Sequence, residues 1–558
     1  MQINGGVSMP RKVSVSFDRY YRYEELMQYL NDVVKAHPQI ASMEVIGQSY
    51  EKRDIPALTL TNTQTGDPST KPALYVEANI HAGEVTGSMT ALNLIDMLVS
   101  NFGDDVQISR LLDRYTFYVL PRVNPDGAEL YLSTPATLRS SVRPWPEQEM
   151  DKLPGLHPQD INEDGKILQM RKRDDKRGAW KISKRDPRLM LPREPWDFNE
   201  PFYCLLPEGL IQKFDGEPFE VIRTPFGLDM NRNFPSNWHP SVQGGGDFPT
   251  SEPEVRGVVE FITKHPNIAL ANSYHTSGGI FFRNPYQYGD DAIDQTDLKL
   301  IRAVAAEGTK VTGYPDVKSS NRACLPEWLY EHKGIIGFTT ELWDRLGQAG
   351  IDKAQAQKAS TPEEKEEIQI RLLQWNDRAL SGTGFHNWTS FQHPQLGDVE
   401  IGGWDPKTNM QNPPEFLLPA ETFKNAQWAI RQAACLPYIS IQDTKQEKLD
   451  GSLWKITATV INEGFLPTYI TNKTLSLKAV KPDSISLEGA EILNGKKSVS
   501  LGHLQGYSLA HYSGGYGASV PTSVAKATWL VKGNSGDTIT LKAKSIRGGQ
   551  AEAKVTLE

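Results

Sequence analysis

The chain has 558 residues, more than one hydrophobic core ordinarily organises, so at least two domains are expected. With 38% hydrophobic and 23% charged residues it has the composition of a folded globular protein, which excludes a disordered or low-complexity chain. A formal net charge of −8 removes any electrostatic case for binding nucleic acid.

The opening MQINGGVSMPRKVSVSF lacks the continuous apolar stretch of a leader peptide. A cytoplasmic location is therefore the default expectation, with a secreted or periplasmic one if a leader has been trimmed away. Residues 21 to 37 carry Leu26, Leu30, Val33 and Val34 at the spacing of a surface helix. ALYVEANI (73–80) reads as a buried strand. The stretch from 84 to 100 then sets Val85, Met89, Leu92, Ile95 and Leu98 at helical intervals. YTFYVLPRV (115–123), IALANSYHT (268–276) and GIIGFTTELW (334–343) are further apolar strands, and PEVRGVVEFITKH before the second of them is helical. Strands alternating with helices predict an α/β domain built on an open, mixed, mostly parallel sheet with helices on both faces.

Two stretches interrupt this rhythm. Residues 132–225, rich in Pro, Trp and charge, resemble a long loop insertion, and residues 350–380 read as exposed helix. After Pro437 the apolar residues alternate with polar ones between Gly, Asn and Pro turns, and no helix is expected. This predicts a catalytic domain over 10–436 and an all-β sandwich over 437–558. No apolar run approaches the roughly 20 residues of a membrane span. Cys204, Cys324 and Cys435 are odd in number and far apart, which argues against a disulfide framework or a cysteine-built zinc site.

Ligands of open α/β sheets collect at the carboxyl ends of the strands. The predicted strands end near His81 and Glu84, near Asn124-Pro125-Asp126-Gly127, at His275 and at Glu341. Two imidazoles and two carboxylates are thus delivered to one sheet edge. A catalytic zinc site needs three N or O ligands and an open position, and a further carboxylate can take a proton from water. His81 and Glu84, at i and i+3, would face one point if a helix starts there. Alone, each residue also fits a surface ion pair or a structural hydrogen bond; the ordered set is what is specific.

NIHAGE (79–84), NPDG (124–127), GLDMNRN (227–233), SYHTSGG (273–279) and FTTELWD (338–344) resemble, in order, the active-site blocks of the zinc carboxypeptidases of the carboxypeptidase A/B type. The likeness covers roughly residues 20 to 435. It implies a Zn2+ cofactor held by His81, Glu84 and His275, with Glu341 as general base. It further implies that Asn231 and Arg232 grip a terminal carboxylate and that Asp229 buttresses a zinc histidine. For the arginine that meets the developing oxyanion, the best match is Arg171 in QMRKRD, with Arg173 and Arg122 as competitors. The implied partner is a peptide with a free C-terminal carboxylate, and the implied activity is removal of the C-terminal residue.

The chain also departs from the family pattern. No tyrosine occupies the place of the family's mobile tyrosine, where counting back from Trp328 lands near Ser319, and Tyr314 is expected to pack rather than replace it. Pro326 stands where basic-residue-specific members carry an aspartate, which argues against a preference for C-terminal Lys or Arg. DINEDG (160–165) sets Asp160, Asn162 and Asp164 at alternate positions but is followed by Arg171 at position twelve, so an Asx-rich turn is expected rather than a calcium loop. His157, His332 and His393 fit no ligand spacing. A zinc amidase of the same superfamily, acting on cell-wall γ-glutamyl peptides or N-acyl amino acids, and a non-catalytic binding protein on the same scaffold are the alternatives.

Overall fold

A computed structural model describes residues 11–146, 152–199, 201–222, 224–508 and 523–558. The opening residues 1–10, part of the stretch in which no leader was read, lie outside these.

The strands Ala73–Ala78, Thr116–Leu120 and Ile268–Thr276 are buried at every position. A strand covered on both faces needs apolar residues on both, so it reads as an unbroken apolar run. These strands form the centre of an eight-stranded sheet ordered Ala41–Gln48, Asp54–Leu60, Thr116–Leu120, Ala73–Ala78, Ile268–Thr276, Ile336–Leu342, Ile280–Arg283, Asp316–Lys318. The four middle strands run parallel. On the flanks the pairings are antiparallel, except that Ile280–Arg283 and Asp316–Lys318 run parallel.

Successive side chains of a strand point to opposite faces, and here each face has its own core. Leu74, Val76 and Ala78 pack with Leu26, Leu30, Met89, Leu92, Ile95, Leu298 and Trp428, which come from the helices Tyr23–Ala36, Val85–Asn101, Gln295–Thr312 and Leu418–Ala434. Ala73 and Tyr75 pack on the other side with Val255, Val258 and Phe261 of the helix Pro253–Lys264 and with Leu325 and Trp328. The expected mixed α/β sheet with helices on both faces is present.

Residues 132–225 are not the loop that the sequence suggests. Gln169–Arg173, Phe202–Pro207, Trp180–Ile182 and Met190–Pro192 pair with Phe385–His393 and Gly397–Trp404 into a six-stranded sheet, antiparallel at each pairing. Leu156, Leu168, Met170, Ile211, Leu396, Val399 and Ile401 form its core. The stretch escapes a sequence reading because its strands are three to six residues long and the sheet is completed by strands about two hundred residues downstream, through Gln169–Arg173 alone. Within it, Asp160–Gly165 is an Asx turn: Gly165 donates its N–H to Asp160 Oδ2 at 2.9 Å, and Asp164 donates its own to Asn162 Oδ1 at 3.1 Å. The polar stretch near 350–380 is helical, as Lys353–Lys358 and Pro362–Ala379, the latter opened by a capping box between Thr361 and Glu364.

From Ile439 onward two four-stranded sheets pack face to face. Trp454, Ile456, Val460 and Trp529 of one sheet meet Ile485, Leu487, Ile539 and Leu541 of the other. One element departs from the all-β expectation: Asn472–Leu477 is a short helix, capped by Thr471 Oγ1. Its first backbone N–H groups reach Asp297, and Thr471 donates to the Gly334 carbonyl at 2.7 Å, so it belongs to the contact with the α/β part. Its residues alternate like a strand, and the partner surface decides otherwise. Among the described residues, no helix is long and apolar enough to cross a membrane.

Candidate metal centre

Each candidate ligand sits just beyond a strand of the parallel centre or at its end. After the strand Ala73–Ala78, Asn79 adopts a left-handed conformation (φ 62°), which Asn tolerates better than most residues. Its amide donates to the carbonyls of His81 and Ala82 at 2.6 and 3.2 Å, while its oxygen accepts from Ser88 Oγ at 3.0 Å. The chain therefore turns sharply, and Glu84 donates its N–H to the His81 carbonyl at 3.2 Å. The helix begins only at Val85. His81 and Glu84 are brought together by this turn, not by a helical face. His275 and Glu341 lie directly opposite one another on neighbouring parallel strands, so both side chains leave the same face.

His81, Glu84 and His275 each offer a ligand atom within 4.8 Å of the others, and these are the only such group among the described residues. His81 Nδ1 lies 2.9 Å from Glu84 Oε1, His275 Nδ1 lies 2.9 Å from Glu84 Oε2, and the two Nδ1 atoms are 3.0 Å apart. All three residues are at most 2% exposed. The far nitrogens are fixed from behind. His81 Nε2 lies 2.9 Å from Asp229 Oδ1. His275 Nε2 is 3.0 Å from Ser273 Oγ, which itself donates to Glu77 Oε1 at 2.9 Å. With the Nε2 protons committed outward, both Nδ1 lone pairs point at the Glu84 carboxylate. Glu84 Oε2 is buried without a hydrogen bond. Two imidazole nitrogens and a carboxylate converging on one point fit a divalent cation.

The electrostatics agree. Burial and Arg139 lower the His81 pKa, but Glu84 and Asp229 outweigh them and raise it. Burial alone would raise Glu84 and Asp229, yet the imidazoles hold Glu84, and His81 with Arg139 holds Asp229, well below the usual carboxylate range. The cluster favours positive charge at its centre. Burial and the Glu84 carboxylate push the Glu341 carboxyl up to about 7.

A family described as zinc carboxypeptidase matches residues 26–357, more than half of the chain. The chain belongs to the zinc carboxypeptidase family. Carboxypeptidase A4 of Mus musculus is 25% identical over 390 residues, covering 65% of this chain and 71% of that protein. Carboxypeptidase A2 of Mus musculus is 35% identical over 117 residues, 21% of this chain; the match spans only 27% of that protein's length. The crystal structure of carboxypeptidase A from Helicoverpa armigera superposes with a TM-score of 0.38 at 18% identity, over 66% of this chain and 75% of that one. Residues 438–556 match a second family, described as a domain of unknown function.

The zinc carboxypeptidase blocks of this chain do not all reach the cluster. Asp229 does, through His81, and Asn231 and Arg232 follow it in the same turn. Asp229 Oδ1, besides meeting His81, accepts the Asn231 N–H at 3.0 Å and so starts the 3-10 turn Met230–Arg232. Asn231 Oδ1 accepts from the Leu325 N–H at 3.1 Å, and Arg232 donates to the Asn231 carbonyl at 2.8 Å and to Asn321 Oδ1 at 2.9 Å. The NPDG block instead braces the surroundings: Asn124 caps the helix Pro125–Ser133 and donates to the Ser140 carbonyl at 2.8 Å.

Arg171, expected at the oxyanion, is placed elsewhere. It lies in the six-stranded sheet, where Glu400 takes its Nε and Nη2 at 2.8 and 3.1 Å and Trp388 lies under the guanidinium at 4.7 Å. Of its competitors, Arg173 pairs with Asp175 at the surface, and Arg122 is buried beneath the sheet edge against the Tyr21 carbonyl and Ser88. The arginine at the cluster is Arg139. Its Nε donates to Asp229 Oδ2 at 3.0 Å and its Nη1 to Glu84 Oε1 at 3.1 Å. It is held in place because Ala82 donates its N–H to the Arg139 carbonyl and Asn124 fixes the neighbouring Ser140. No local pattern in TLRSSVRPW marks it; the nearest signal is the NPDG block that clamps the next residue. Tyr314 packs on Phe281 and hydrogen-bonds Glu421 inside the core. Pro326 is buried in the short helix Leu325–Trp328.

Proposed function

We propose that this chain is a zinc-dependent metallocarboxypeptidase that hydrolyses the last peptide bond of substrates bearing a free C-terminal carboxylate. The observation that carries this reading is the double role of Asp229. One carboxylate orients His81 and starts the turn that ends in Arg232, so the proposed metal centre and the proposed anion anchor are one rigid structure.

His81, Glu84 and His275 would hold the zinc, which when bound supplies Lewis acidity toward water and the scissile carbonyl. Arg232 presents a planar fork to the terminal carboxylate, and Asn231 adds an amide beside it. Glu341, across from His275, accepts a proton from the attacking water and delivers it to the leaving amine. A carboxyl pushed upward by burial is suited to both halves of that transfer. Arg139 uses two of its nitrogens to hold Asp229 and Glu84, leaving Nη2 to donate to the oxyanion as charge develops.

The test pairs metal analysis with peptide cleavage. About one zinc per chain, and release of single C-terminal residues, are expected. Charged hydrogen bonds contribute roughly 1.5–3 kcal/mol, so amidating the C-terminus should lower kcat/KM by at least ~10–100-fold. Arg232→Ala should lose most activity on the free acid and discriminate less between the two forms. Equal cleavage of both forms by the intact protein would make it an endopeptidase or deacylase.

A further inference from the structure

A cleft of about 750 Å³ opens beside the metal cluster, lined by Arg139, Asp229, Arg232, Asn321 and Arg322 among others. Its charge does not balance. Asp229 is taken up by His81 and Arg139. Among the described residues, Arg232 and Arg322 pair with no carboxylate; neutral amides hold them instead. Arg232 donates to Asn321 Oδ1 at 2.9 Å, and Arg322 donates its Nε to Gln287 Oε1 at 2.9 Å. Gln287 in turn donates to the Asn321 backbone carbonyl at 2.6 Å. Asn321 therefore braces Arg232 directly and Arg322 through Gln287, without neutralising either.

Surface arginines usually find an acidic neighbour, and most arginines of this chain do. Two arginines held by amides and lining one concave site make a receptor for two anionic groups rather than one. The terminal carboxylate of a peptide satisfies only Arg232. Arg322, next to Asn321 in the chain and lining the same cleft, is left for a second anionic group.

We propose that the cleft selects a C-terminal residue carrying its own carboxylate, a glutamate or aspartate, with Arg232 taking the α-carboxylate and Arg322 that of the side chain. This rests on the carboxypeptidase reading of Arg232 and adds the class of terminal residue.

Binding tests the proposal without requiring turnover. Glutarate spaces two carboxylates as glutamate does, and glutaramate has one of them amidated. Calorimetric titration of the full chain should show glutarate binding at least ~10-fold more tightly than glutaramate, the gap widening at low ionic strength because Arg322 is exposed. In Arg322→Gln the ratio should fall toward one. Equal affinities in the unaltered protein, or a ratio unchanged by R322Q, overturn the proposal. Peptides ending in Glu and Gln separate it from the reading beneath it. An enzyme that removes both residues equally well lacks the acidic subsite yet is a carboxypeptidase. A protein that binds glutarate through Arg322 but releases no terminal residue keeps the subsite and loses the carboxypeptidase reading.

Discussion

Exchanging the two candidate arginines separates what the motifs suggest from what the fold places. Arg139 contacts Glu84 and Asp229 at 3.1 and 3.0 Å, and its side chain is 46% exposed toward the cleft. Removing one preorganised oxyanion donor typically costs about 10²–10³ in kcat. Arg139→Gln is therefore expected to lower kcat/KM by that factor on a free-acid peptide. Zinc content should persist, because His81, Glu84 and His275 all remain. Arg171 has a different job. Its side chain is 8% exposed, doubly bonded to Glu400 and stacked on Trp388. Arg171→Gln should weaken the six-stranded sheet by about 1–3 kcal/mol, seen as a lower Tm, with kcat/KM within about threefold of the parent. The assay is steady-state cleavage with metal content and a melting curve for each variant. A hundredfold loss in R171Q at full zinc content, with R139Q nearly intact, would refute Arg139 as the oxyanion donor.

Three further outcomes are expected. Glu341→Gln should retain zinc while kcat/KM falls at least ~10²-fold. The base must be ionised, so kcat/KM of the parent falls on acidification; a dication nearby favours the carboxylate, placing that limb below the value of about 7 set by burial and Glu84, and zinc loss in the variant would make Glu341 a ligand instead. Asp229→Asn removes the charge that orients His81 and should weaken zinc binding about 10–100-fold in a competition titration with a chelator; unchanged affinity would strip Asp229 of that role. Glu254, fully buried, is pushed from 4.5 up to about 7 by burial, so the native state holds its proton more tightly than the unfolded chain. Its contribution is complete below pH ~4.5 and is lost as pH rises through 7, so Glu254→Gln should gain roughly 1–3 kcal/mol at pH 8 relative to pH 5, and a pH-independent difference between the melts would refute this.

The α/β architecture was legible because its signals are local. Strands buried on both faces, such as Ala73–Ala78 and Ile268–Thr276, must be apolar throughout, and the helices between them carry their apolar stripe at a fixed spacing. The ordering of His81, Glu84, His275 and Glu341 at strand ends was equally visible, because the chemistry of a metal site restricts residue type at each position. What the sequence could not supply is any relation that forms only on folding. Gln169–Arg173 looks like loop until Gly397–Trp404 arrives to pair with it. Arg171 stands in a motif-like string, yet Glu400 and Trp388 claim it, while Arg139 is carried to Glu84 by backbone and Asn124 contacts that no spacing announces. Arg232 and Arg322 become neighbours only through Asn321 and Gln287, which lie on separate segments. Residue type and period, which act over a few positions, set the elements and the kinds of ligand. Long-range packing decided which of many arginines reaches the cluster of His81, Glu84 and His275, because a guanidinium pairs with whichever carboxylate the fold brings near.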